Sequence, residues 1–395
     1  MTAKVYAPAP GAILTARDVW AGVQVGKIIK PIVQGGRLTV PRGGILGLVG
    51  ESGSGKTQFV RAMMGLSSLE PGVFAGSAIY AIGDGPPVDV LEGVTTYAPY
   101  RPPRGDELFP QRERIGWGWP LWRRRHRARL ALLRTLGVGF IFQNPVGALN
   151  PFLRIGTQLV EAVRVAHPSA NGKEAEERAI HWLAQVHLTA ERQTLGLYPH
   201  ELSGGMAQRV MIALALAGEP HFIVADEPTT GLDSHIRLEI VGLLNRIMGQ
   251  GNLSGIVISH DLPMIARLCD RLTVMYRGRV VEEGPIEALG NPKSDSHPYT
   301  RELKERAESL AKGRHSRTRG GVEKTGGTGV VVGTGCIYRS RCAIYKDGDV
   351  DKARCEREQP PMRVIADGHQ VACHAEDVAG AWDAATSLEA GGHDG

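Results

Sequence analysis

The sequence predicts an α/β fold built on a mainly parallel sheet. Three apolar runs carry that expectation: ILGLVG from Ile45, HFIVADEP from His221 and SGIVISH from Ser254. They are continuous rather than alternating, as strands covered on both faces are. Stretches with helical spacing lie between and after them, at 58–66 and 156–190. Strands alternating with helices bury a largely parallel sheet. At 395 residues the chain buries most of its unfolded surface without needing disulfides.

Taken in order, residues 12–50 alternate short apolar runs with turns, as strands do, and 73–92 form a second short strand region. Residues 101–134 break the pattern, with ten arginines against three acids and three of the six tryptophans, Trp117, Trp119 and Trp122. They predict an exposed basic insert ending in a helix near 121–136. Its readings are contact with anionic headgroups or a membrane subunit, a solvated loop, or nucleic-acid binding. From Gly313 to Gly335 eight of 23 residues are glycine without a period, as in a flexible linker. The expected organisation is a main domain over 1–312, this linker at 313–335, a cysteine-rich tail over 336–376 and disorder from 377 to 395.

Composition narrows the class. Apolar residues make up 42% and charged residues 22%, which suits a globular chain. The net charge of +5 is too small to imply nucleic acid. No run reaches the ~18 apolar residues of a membrane helix, and the first residues lack a secretory core. The reading is cytosolic, with any membrane association made through a partner. In that setting four cysteines clustered in the last 60 residues point to metal rather than disulfides. Cys269, in IARLCDRL, reads as a plain buried thiol.

GESGSGKT, Gly50 to Thr57, fits the phosphate-binding loop G-x-x-x-x-G-K-[ST] in its required place between a strand and a helix. Its glycines let backbone N–H groups wrap phosphate oxygens, and the helix N-terminus adds a favourable field. The nucleotide-binding candidates are Gly50, Ser52, Gly53, Ser54, Gly55, Lys56, Thr57 and Gln58. Lys56 reaches the β- and γ-phosphates, and Thr57 offers a hydroxyl to Mg²⁺. Downstream, an apolar strand ends in two carboxylates, a costly arrangement unless they serve a cation and a proton. Asp226 fits the Mg²⁺ partner. Glu227 stands where it can polarise a water for attack on the γ-phosphate.

LSGGMAQRV, Leu202 to Val210, narrows the subclass. Here the sequence resembles the ATP-binding subunits of ABC transporters, which implies a P-loop ABC ATPase with a helical signature subdomain. The resemblance implies that Ser203, Gly204 and Gly205 contact the γ-phosphate of ATP held by a second, similar or identical, ATPase subunit. The physics is a helix N-terminus with unhindered donors facing an anion. Gln143 in FIFQNP resembles the glutamine that senses Mg²⁺ and water. Asp233 in TTGLD resembles the D-loop aspartate, and His260 in VISHD the switch histidine on the γ-phosphate. One element departs. The adenine-stacking aromatic of the family falls near Val23, and the nearby Trp20 reads equally as core or as stacking.

FIFQNPVGALNP, YPHELSGGMAQRV, DEPTTGLD and NPKSDSHPYTREL further resemble the dipeptide, oligopeptide and nickel importer branch, with HPYT (His297 to Thr300) as its marker. The resemblance covers most of 12–312 and 335–375. It implies ATP-driven import of peptides through two integral membrane permease subunits, fed by an extracytoplasmic substrate-binding protein, on the cytoplasmic face of the inner membrane. Nickel or another small solute is the alternative cargo. A soluble ABC ATPase acting on nucleic acid is a more distant alternative, since such proteins often carry two cassettes and this chain has one. Some members of the branch hold a 4Fe-4S cluster on tail cysteines, which implies that role for Cys336, Cys342, Cys355 and Cys373. Their spacing lacks the C-x2-C pairs of zinc ribbons, and four thiolates satisfy cluster ligation. DGDVDK (Asp347 to Lys352) lengthens the middle gap. Zinc, with His369 or His374 recruited, and free thiols stay open as alternatives.

Overall fold

The computed structural model describes residues 7–25, 28–67, 69, 71–83, 85–93, 137–249, 253–290, 295–311, 335–348, 350–366 and 368–390. The basic insert at 101–134 lies outside them, as does nearly all of the glycine-rich 313–335.

Two sheets organise the chain. β1 (Ala12–Val25) and β2 (Ile28–Pro41) form a long antiparallel hairpin. β3 (Ile45–Val49) then enters the central sheet and leads into α1 (Lys56–Met63). β4 (Pro71–Tyr80) pairs with β1, and β5 (Val88–Asp89) with β4, giving a small sheet in the order β2-β1-β4-β5. After β6 (Val138–Ile141) come α2 (Pro145–Ala148), α3 (Ile155–Ala166), α4 (Gly172–Gln185), α5 (Glu191–Gly196) and α6 (Gly204–Ala217). β7 (Phe222–Asp226), α7 (Ser234–Met248), β8 (Ser254–Ser259), α8 (Leu262–Leu268), β9 (Arg271–Tyr276), β10 (Arg279–Pro285), α9 (Ile286–Gly290) and α10 (Pro298–Ala311) follow. The last elements are α11 (Ala343–Asp347), α12 (Lys352–Arg357), β11 (Arg363–Ala366), β12 (His369–Val371) and α13 (Val378–Ala390).

The central sheet has the order β11-β12-β10-β9-β3-β8-β7-β6 and is parallel from β9 to β6. β3, β7 and β8 are buried at every residue, which is why their sequences run apolar without alternation. The helical lobe packs α3 through Ile155, Leu159 and Val163 against α4, whose inward face is Ala175, Ala179 and Leu183. Asn171 caps α4 by accepting from the N–H groups of Lys173 and Glu174, while Glu174 accepts from the Asn171 N–H. α6 is apolar on most of its surface because α2, α3, α4 and β6 all pack on it.

The tail departs from expectation in two ways. A separate unit after the linker is predicted, yet β12 pairs with β10 (Glu282↔Val371, Glu283↔Gln370) and extends the central sheet. Tyr338, Cys342 and Ile344 belong to the same apolar cluster as Val274 and Tyr276. A tail of roughly 40 residues buries too little surface to fold alone, and β10 would otherwise present an unpaired edge. Disorder from 377 is also corrected over 378–390, which form α13. Val378, Trp382 and Ala385 are buried there, and Trp382 Nε1–H donates to Glu305 Oε1 at 3.3 Å. The alanine-rich sequence favours that helix.

Cys269 follows α8 and is buried, and burial holds its thiol well above the ordinary range. Among the described residues no helix is long and apolar enough to cross a membrane.

Candidate functional site

β3 delivers the chain to the phosphate-binding loop. Gly50 turns it with φ 153°, and a Cβ there would lie 2.2 Å from the Met275 carbonyl oxygen, so only glycine fits. Gly55, at φ 97°, caps α1 without a side-chain hydrogen bond, which leaves the first N–H groups of the helix open to an anion. Lys56 is buried. Its Nζ donates to the carbonyls of Gly50 (2.8 Å) and Glu51 (3.0 Å) and lies 3.4 Å from Ser54 Oγ. Burial lowers its pKa, against the opposing charges of Glu227, Asp226 and Glu51. The Gln58 Oε1 is buried without a hydrogen-bond partner.

Asp226 ends β7 and is fully buried. Its Oδ1 accepts from Thr57 Oγ1 at 2.9 Å, while Oδ2 has no hydrogen-bond partner and sits 3.8 Å from Arg61 Nη2. Burial raises the carboxyl above its ordinary range despite Thr57 and Arg61. A buried carboxylate oxygen left bare beside a threonine hydroxyl suits a small, hard cation with oxygen ligands, and Mg²⁺ fits this pair.

Glu227 follows with φ +46°, a left-handed conformation uncommon for a non-glycine residue. The strained backbone places its carboxylate among three partners from separate segments. Oε2 accepts from Thr230 Oγ1 at 2.7 Å and from Gln143 Nε2 at 3.2 Å, and Oε1 lies 3.5 Å from His260 Nδ1. Lys56, Thr57, Asp226, Glu227, Gln143 and His260 thus meet in one place. Gln143 joins the Glu227 side of the cluster through its amide.

The remaining nucleotide candidates stand apart. Ser203 caps α6, its Oγ accepting from the Met206 N–H at 3.3 Å, and both Ser203 and Gly204 are exposed. A Cβ on Gly204 would meet nothing within 4 Å, so this helix end faces open space. Asp233 is exposed and caps α7, accepting from the His235 and Ile236 N–H groups at 3.1 and 3.0 Å. Ile236 lies beside Gly205, so the signature loop and the start of α7 share one surface. Trp20 packs in the small sheet, 6.4 Å from Phe74 between ring centroids and against Gly35.

In the tail, Cys336, Cys342, Cys355 and Cys373 all line one small cavity, together with His374. The Cys336 N–H donates to the Cys355 carbonyl at 2.8 Å, tying two corners of it. Burial pushes the Cys342 thiol up to about 12 and those of Cys355 and Cys373 to about 11, with charge on neighbouring cysteines adding to each rise. The neutral thiol is therefore the favoured form of these cysteines. Among the described residues no group of three or more His, Cys, Asp or Glu side chains is placed to hold a metal ion. His369 is committed elsewhere, with Nε2 at 2.9 Å from Glu282 Oε1.

Sequence reasoning misses two contributors and the structural task of a third. Thr230 orients Glu227, and nothing in its type marks it. Glu51 lies inside the loop motif at a position the motif leaves free, and its N–H donates to Tyr299 Oη at 2.7 Å. HPYT is legible as a marker, but part of its structural task is this contact: His297, Tyr299 and Thr300 are all buried, and the His297 N–H donates to Glu282 Oε2 of β10 at 2.9 Å.

Comparison with known proteins agrees with this geometry. A family model described as ABC transporter matches residues 125–230. The dipeptide transport ATP-binding protein of Escherichia coli is 34% identical over 351 residues, covering 85% of this chain and 88% of that protein. The oligopeptide transport ATP-binding protein of Lactococcus lactis is 36% identical over 292 residues, 74% of each chain. A putative peptide import ATP-binding protein of Brucella abortus is 33% identical over 343 residues, 85% of this chain and 89% of that one. Among solved structures, a dimeric ATP-binding cassette in a post-hydrolysis state with ADP and Pi overlaps with a TM-score of 0.52 at 23% identity. That overlap covers 69% of this chain and 98% of the other, and shows the fold.

Proposed function

The chain belongs to the ATP-binding subunits of peptide-importing ABC transporters, and on that premise we propose a role for each residue of the site. The protein is the ATP-hydrolysing subunit of a peptide importer. Lys56, the loop N–H groups of 50–57 other than those of Glu51 and Ser54, and the open end of α1 bind the β- and γ-phosphates. On ATP entry Lys56 Nζ exchanges the carbonyls of Gly50 and Glu51 for phosphate oxygens. Thr57, Asp226 and Gln143 hold Mg²⁺, which when bound neutralises charge on the phosphates. Glu227 takes the proton of the attacking water, and Thr230 and Gln143 orient it. His260 meets the γ-phosphate. Ser203, Gly204, Gly205 and Asp233 serve the ATP of a second ATPase subunit, a role their exposure and shared surface support.

The observation that carries this reading is the meeting of Gln143, Thr230 and His260 on the Glu227 carboxylate, one residue beyond the bare oxygen of Asp226. The chain acts at the cytoplasmic face of the inner membrane, bound to two permease subunits and served by an extracytoplasmic binding protein. The test is ATP-driven uptake of di- and oligopeptides by vesicles holding the assembled transporter. Wild type accumulates peptide, and Lys56→Ala binds ATP weakly and accumulates none. Uptake by Lys56→Ala at the wild-type rate would refute the assignment.

The tail holds a 4Fe-4S cluster on Cys336, Cys342, Cys355 and Cys373. One observation supports it: the four sulfur-bearing side chains line the same cavity. A cluster would bind each cysteine as a thiolate on a separate iron, and its charge would offset the burial that otherwise favours the thiols. Its task here is structural, since hydrolysis has no redox step.

A further inference from the structure

Glu51 occupies a free position of the GESGSGKT motif, yet its carboxylate is tightly held. Arg341 grips it with both terminal nitrogens, Nη1 to Oε2 at 2.9 Å and Nη2 to Oε1 at 3.0 Å. Arg306 of α10 adds Nη1 to Oε1 at 3.0 Å. Forked arginine–carboxylate pairs are among the stronger and more directional contacts a protein makes. Burial alone would raise the Glu51 carboxyl, but the two arginines outweigh it and hold it below its ordinary value. The same residue donates its N–H to Tyr299 Oη, and its carbonyl accepts from Lys56 Nζ. One residue of the phosphate loop is thus fixed at side chain and amide by the chain beyond the ATPase strands.

Arg341 is itself held in place. Its Nη2 also donates to Glu302 Oε1 at 2.8 Å, and its guanidinium lies 5.7 Å and 5.8 Å from the ring centroids of Tyr276 and Tyr338. Tyr338 Oη donates to the same Glu302 carboxylate. Arg341 directly precedes Cys342, in the turn that walls the cysteine cavity and begins at Cys336. Whatever orders that turn orders the guanidinium, and the guanidinium orders Glu51.

We propose that the tail acts on ATP binding through Arg341, a positioning residue that holds Glu51 and with it the phosphate-binding loop. This rests on the reading above that 50–57 hold ATP. The contact touches none of Thr57, Asp226 or Glu227, so its loss changes affinity rather than the chemical step.

The experiment uses the assembled transporter. Arg341→Ala is expected to raise the ATP KM, and the Kd of a fluorescent ATP analogue, about tenfold, as expected for truncating a charged fork. The kcat changes by less than about twofold. Amide exchange across 50–57 speeds up, and Arg341→Lys recovers part of the affinity because an ammonium cannot fork. Unchanged KM, Kd and exchange in Arg341→Ala would overturn the proposal, as would a fall in kcat alone. Glu51→Gln keeps the side-chain shape and removes its charge, so it serves if Arg341→Ala does not assemble, and it too must raise KM. Combined with Arg341→Ala it must cost less than the sum of the two, the remainder being the Arg306 contact, and fully additive losses would overturn the pairing. Wild-type and Lys56→Ala chains binding ATP equally well would overturn the underlying site assignment, and the proposal with it.

Discussion

Glu227→Gln isolates the chemical step from everything around it. The amide has the size of the carboxylate, so the left-handed backbone at 227 and the hydrogen bond from Thr230 at 2.7 Å both survive. The partner lost is His260, 3.5 Å away and more than half exposed, and such pairs contribute little to stability. The variant therefore folds like the wild type, with Tm within a few degrees. What disappears is a group able to take the proton of the attacking water. A positioned general base contributes ~10²–10⁴ in rate, about 3–5 kcal/mol at 1.36 kcal/mol per tenfold. ATP affinity holds or tightens, because one negative charge near Lys56 and the incoming γ-phosphate is gone. The assay pairs single-turnover hydrolysis in the assembled transporter with equilibrium binding of a fluorescent ATP analogue. A hydrolysis rate within about tenfold of wild type would refute Glu227 as the base. A binding loss as large as the rate loss would show that the carboxylate holds the loop instead.

Two further outcomes follow from the same geometry. Burial lifts the Asp226 carboxyl, so the nucleotide-free native fold holds that proton more tightly than the unfolded chain, and the ionised form costs stability at neutral pH. The cost shrinks as pH falls through the raised pKa, so Asp226→Asn should raise the nucleotide-free Tm at neutral pH by about 1 °C per kcal/mol relieved. The gain should close in acid, Mg²⁺-dependent hydrolysis should be lost, and an unchanged Tm would mean that Thr57 and Arg61 already compensate the charge. In the tail, protein purified without oxygen should be brown and contain roughly four irons per chain. Cys355→Ser should lose the colour, and one zinc without iron would reject the cluster.

The parallel core was legible because β3, β7 and β8 are covered on both faces, and that demand writes itself as a continuous apolar run. The cluster around Glu227 was legible for a related reason: phosphate, cation and water each require one side-chain type at one point, so Lys56, Asp226 and Glu227 stand out. The tail hid its place because strand pairing is non-local. Nothing in HQV (His369–Val371) says that its partner is β10, and four cysteines drew attention to a separate unit when the sheet edge needed covering. The alanine-rich run at 378–390 held a helical signal that Gly380 and its terminal position masked. Glu51 illustrates the deepest limit. A nucleotide motif records what the nucleotide demands, so its free positions look empty. Yet Glu51 meets Arg306 and Arg341, 255 and 290 residues downstream, and so answers to the rest of this chain instead. A free position in a tightly constrained loop is where a chain can attach its own control to shared chemistry, because its side chain answers to other elements without itself being a phosphate ligand.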